Sequence, residues 1–169
     1  SNSKNAYHGT TLVTGDGDNP GVLRADADNV LGQDADDQHT SLLVLDANAG
    51  FDLNGHHQTI GSLAAGDGAW IDLDGGNDAG RTGAELIIEN GGYATSDNAL
   101  RGTGHITLET GVFEVGGANA GLGGTVTIGV PQIETVSNDA CDGDASEAQD
   151  FVATAVIHDS NGFGSSDIV

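Results

Sequence analysis

The feature that most constrains this chain is a succession of very short alternating runs, each cut off by Gly, Asn or Asp. Residues 41–45 run into Asp46-Ala47-Asn48-Ala49-Gly50, and Phe51-Asp52-Leu53 stops at Asn54-Gly55. Gln58-Thr59-Ile60-Gly61-Ser62-Leu63 leads to Asp67-Gly68, and Trp70-Ile71-Asp72-Leu73 ends at Asp74-Gly75-Gly76. Residues 84–89, 105–109, 112–115 and 125–128 follow the same rule. A period of two sends one set of side chains inward and the other into water. Gly and Asn supply the positive φ that tight corners need. No stretch keeps an i, i+3, i+4 apolar spacing, so helices are not expected.

Many short strands fit either a closed sandwich or barrel, or a solenoid. Aromatic residues are only 4% of the chain, too few for the aromatic core usual in a sandwich of this size. The expected fold is therefore all-β, a parallel β-helix in which each coil stacks on the next. The alternation points Leu53, Ile71, Leu73, Ile106, Leu108, Phe113, Val115, Val126 and Ile128 inward. Each contributes roughly 1.5–3 kcal/mol on full burial. Residues 1–169 read as one unit with two acidic interruptions. Residues 14–40 hold Asp34, Asp36 and Asp37 among seven Asp, and 131–150 begin at Pro131 and carry Asp139, Asp142, Asp144, Glu147 and Asp150. The second reads as a loop or hairpin excursion reaching into 131–157, after which 151–157 resumes a strand.

The formal net charge is -22, from 26 Asp and Glu against 4 Lys and Arg. Binding phosphates needs cations to displace counterions, so nucleic acid is excluded as a partner, and anionic lipid is repelled. No run of about 18 apolar residues is present to cross a membrane as a helix, and the opening residues do not read as a signal peptide. Cys141 is the only cysteine, which rules out an internal disulfide framework.

Several phrases resemble the passengers of bacterial autotransporters. Asn5-Ala6-Tyr7-His8-Gly9-Thr10-Thr11-Leu12-Val13 resembles their passenger-associated repeat, with Gly21-Val22-Leu23 as its second strand and Asp28-Asn29-Val30-Leu31-Gly32 as the following turn. Phe51-Asp52-Leu53-Asn54-Gly55-His56-His57-Gln58-Thr59-Ile60-Gly61-Ser62-Leu63 is similar to a recurrent phrase of pertactin-like and self-associating adhesin passengers. Residues 100–108 and 115–119 continue the likeness, which covers about residues 5–130. The resemblance implies a right-handed, extracellular β-helix secreted through a C-terminal outer-membrane barrel. It further implies an autochaperone-like segment that folds as a stable seed and draws out the rest of the passenger. The expected partners are then the same passenger and its barrel translocator. The alternative is a direct adhesion or self-association module that binds host or bacterial surface molecules.

Candidate chemistry is sparse, and no enzyme activity is expected. His158-Asp159-Ser160 has the three triad residue types, but adjacent residues do not converge on a substrate. Asp16-Gly17-Asp18-Asn19-Pro20-Gly21 hints at a calcium loop, yet Pro20 sits at a ligand position and Ala27 where a bidentate Glu belongs. No cofactor is expected; weak Ca²⁺ binding by the acidic loops is the alternative left open. His56 and His57 are neighbours at a strand end with rings pointing apart, short of the three or four ligands zinc needs. A sugar-acting site needs a positioned acid and base, usually with a cation for the substrate, and only Lys4, Arg24, Arg81 and Arg101 are available. Trp70 and Phe51 are candidate stacking platforms, and Trp70, opposite in face to Ile71, is the candidate surface contact.

Overall fold

The computed structural model describes residues 9–16, 18–31, 42–75, 83–129 and 153–169. Among these the protein is all-β, with fifteen short strands. The first are β1 (Thr11–Val13) and β2 (Val22–Arg24). Next come β3 (Leu42–Leu45), β4 (Gly50–Asp52) and β5 (His57–Ile60). They are followed by β6 (Ser62–Ala65), β7 (Trp70–Asp72) and β8 (Glu85–Ile88). Then come β9 (Gly92–Ala94), β10 (Leu100–Arg101) and β11 (His105–Leu108). The last are β12 (Gly111–Val115), β13 (Thr125–Ile128), β14 (Ala153–Ile157) and β15 (Asp167–Ile168).

The strands form three sheets, and every pairing is parallel. The first sheet has the order β1-β3-β6-β9-β12-β14, the second β10-β7-β4-β2, and the third β15-β13-β11-β8-β5. From β3 to β11 the chain visits the three sheets in a fixed order, so each return lands beside the strand left one pass earlier. The shortest pass is twenty residues: Leu43 pairs with Leu63, Phe51 with Ile71, and Leu86 with Ile106. In the fifth pass a bridge from Gly102 to Leu122 takes the place of a second-sheet strand.

Alternation decides what each strand buries. In the second sheet Leu23, Phe51, Ile71 and Leu100 stand in one inward row. Leu86, Ile106 and Val126 do the same in the third. Side chains from all three sheets meet in one apolar cluster. Leu53, Ile71, Leu73, Ile106, Leu108, Phe113, Val115 and Val126 are buried there, while Ile128 is partly buried and packs against it.

The structure adds three things to the sequence reading. Phe51 is fully buried, so it is no stacking platform; it shares its face with Leu53 and lies in register with Ile71. The run from Gln58 to Leu63 is not one strand, because the chain bends at Gly61 and passes from the third sheet to the first. Within 14–40, β2 joins the second sheet and Ala25 and Leu31 are buried. Residues 32–40 and 131–150 lie outside the described residues.

Candidate functional site

Parallel in-register stacking lines up equivalent residues of successive passes, so each sheet presents an outward row with its own chemistry. On the first sheet the row Leu12, Val44, Ala64, Tyr93, Glu114 and Val156 is largely apolar. Leu12, Tyr93, Val156 and the nearby Val112 are exposed.

On the second sheet the outward row is Arg24, Asp52, Asp72 and Arg101. Arg24 Nε lies 3.8 Å from Asp52, and Arg101 Nε donates to Asp72 Oδ2 at 3.1 Å. The two arginines thus flank two stacked carboxylates that would otherwise repel. Half-exposed pairs of this kind are worth up to about 1 kcal/mol each. Trp70 stands two residues before Asp72, on the same face. Its indole lies against the backbone of Gly50, where a Cβ would collide with the ring. The guanidinium of Arg101 sits 4.0 Å from the ring centroid. Trp70 is therefore half-buried and engaged within its own sheet by a cation–π contact.

The third sheet carries the densest polar arrangement. His57, Glu85, His105 and Thr125 stand in register, one from each of four passes. His57 Nε2 lies 2.6 Å from Glu85 Oε2, and His105 Nε2 lies 2.9 Å from Thr127 Oγ1. The first turn closes one end of the row. The Asp28 carboxylate accepts from the His57 backbone N–H and meets His56 Nδ1, both at 3.0 Å. Asn29 Oδ1 accepts from the Thr59 N–H at 3.0 Å. The His57 N–H holds the Asp28 carboxyl below its ordinary value; desolvation opposes this, and His56 and the nearby imidazole charge reinforce it.

An open groove of about 480 Å³ runs across this row. Asp28, His56, His57, Glu85, Thr103, His105 and Thr125 line it, together with Gly55, Gly83 and Gly104, which have no side chain. Among the described lining residues none is Lys or Arg, and Ala84 is the only apolar side chain.

The remaining candidates resolve into local roles. His158 Nε2 meets Glu114 Oε1 at 2.6 Å, and the Asp159 carboxylate caps the turn by accepting from the Asn161 N–H. Asp16 likewise builds a turn: its carboxylate accepts from the Asn19 N–H at 2.8 Å, which lowers its pKa, with the Asn19 side chain and the Asp18 N–H adding to the effect. Among the described residues no group of three or more His, Cys, Asp or Glu converges as a metal site. His56 and His57 do diverge, one toward Asp28 and the other toward Glu85. Glu85, His105 and Thr125 were not singled out from the sequence. Their signal was their common place at the first residue of a third-sheet strand, visible only once the passes are aligned.

No family model matches the chain, and no curated protein or solved structure does either. The resemblance to autotransporter passengers rests on the phrases quoted from the sequence.

Proposed function

We propose that the chain is a right-handed parallel β-helix segment of a secreted bacterial surface protein, and that folding as a stable stack is its function. The observation that supports this most is the parallel register of successive passes in all three sheets. Crossovers between parallel strands of one sheet are right-handed almost without exception, which favours that hand here. In such a stack each new pass docks on a template already formed, so a few folded passes lower the cost of adding the next. A segment of this kind, placed near the outer-membrane barrel of an autotransporter, would act as an autochaperone: it folds first and draws the remaining passenger outward. Its partners are then the rest of the passenger and the barrel translocator. We read it as a non-enzymatic, cell-surface part of an adhesin or virulence factor. The -22 charge argues against nucleic acid as a ligand.

One observation favours a second reading, direct adhesion or self-association. The outward face of the first sheet exposes Leu12, Tyr93, Val112 and Val156, a more apolar surface than the rows of the other two sheets. Deleting residues 42–129 from the full-length surface protein separates the two. Loss of surface-displayed passenger, measured by protease accessibility on whole cells, supports the folding role. Normal display with lost cell binding or clumping refutes it in favour of adhesion.

A further inference from the structure

We propose that the groove on the third sheet is a binding site for a short stretch of neutral saccharide chain lying along the stack. The inference does not depend on the passenger reading; it rests on the lining chemistry and its repeat. His57, Glu85, His105 and Thr125 come from four successive passes in register. Adjacent strands are about 4.8 Å apart, so the row extends about 14 Å and offers a hydrogen-bonding group at each step. A groove of 480 Å³ falls within the range of small-ligand sites, roughly 300–1,000 Å³.

The lining selects the ligand class. Phosphate, sulfate and uronate are disfavoured, because two carboxylates and no described cation line the groove of a chain of charge -22. An apolar ligand would find only Ala84. The side chains of a lysine- or arginine-rich peptide only donate, so they would satisfy Asp28 and Glu85 but leave the Thr125 hydroxyl without a side-chain acceptor. A saccharide hydroxyl both donates and accepts. It can donate to the Glu85 carboxylate beside its His57 contact and accept from the Thr125 hydroxyl. Gly83 and Gly104 present only backbone, so a sugar ring can approach the strands closely.

The test is a titration of the ¹⁵N-labelled chain followed by amide chemical shifts. The probes are cellohexaose and maltohexaose as neutral chains, hexagalacturonate as an anionic one and hexalysine as a cationic one. The expected result is that at least one neutral chain shifts amides at residues 55–57, 83–85, 103–105 and 125, with a Kd of about 1 mM or tighter. Glu85→Ala and Thr125→Ala should each weaken it about tenfold while core amide shifts stay in place. Arg24→Ala, on the second sheet, should leave it unchanged. No shift with either neutral chain at roughly 10 mM overturns the proposal. So does stronger binding of hexalysine or hexagalacturonate at the same amides.

Discussion

Replacing Asn119 by Ala should loosen three passes at once. Asn119 is fully buried and its side-chain amide makes three hydrogen bonds. Oδ1 accepts from the Leu100 N–H at 2.7 Å, and Nδ2 donates to the Gly162 carbonyl at 2.6 Å and to the Gly117 carbonyl at 3.2 Å. Leu100 belongs to the pass before, and Gly162 to the pass after. Truncation leaves the buried Leu100 N–H without its acceptor, at a cost of about 1–3 kcal/mol, and strips a donor from two carbonyls. Some of that returns if water enters the small space, so a net loss of about 3 kcal/mol is expected. Against a domain stability on the order of 10 kcal/mol, that is a large fraction. Asn119→Asp should be worse at neutral pH, because an ionised carboxylate cannot donate and would face two carbonyl oxygens. Urea unfolding followed by circular dichroism measures the loss, and hydrogen exchange at the Leu100 amide locates it. The reasoning fails if Asn119→Ala lies within about 0.5 kcal/mol of the parent and Leu100 exchange is unchanged.

Two further outcomes follow from other parts of the stack. Gly92 has φ +140° and stands in the inward row between Leu63 and Phe113, where a Cβ would collide with the Leu63 backbone carbonyl; Gly92→Ala should cost roughly 2–3 kcal/mol in urea unfolding. Asp28 has a folded-state pKa below the ordinary carboxyl value, so its contribution to stability is present above that ordinary value and fades as pH falls through the lower folded one. Asp28→Asn should therefore be less stable than the parent at pH 6, with the gap closing toward pH 3 in urea titrations; a constant gap would contradict the assigned cause.

Much of the strand layout was legible in the sequence because its causes are local. In Trp70-Ile71-Asp72-Leu73 the alternation alone separates buried Ile71 and Leu73 from half-buried Trp70 and Asp72. Asn48 and Asn54, read as turn residues, do take positive φ. The same logic misled where alternation continued across a corner. Gln58 and Ile60 face inward and so does Leu63, but the odd step between them is absorbed by the bend at Gly61, where the chain changes sheets. Phe51, read from the sequence as a candidate stacking platform, is placed in the core by its register with Ile71.

The sequence by itself determined that this chain is built of short strands, and it placed most inward side chains and most corners, because backbone alternation and positive φ are settled within a few residues. Only the tertiary structure decided which pass lies on which. The twenty-residue pass between Leu43 and Leu63 becomes twenty-nine between Leu63 and Gly92, so the repeat is hidden by the intervening segment. The side-chain contacts between passes are hidden in the same way. Asp28 meets His56, His57 meets Glu85, and His158 meets Glu114 across separations of 28 to 44 residues. Such neighbours are created by stacking, and no local pattern encodes them. The polar row of the third sheet, and the groove beside it, exist only because the strands align in register.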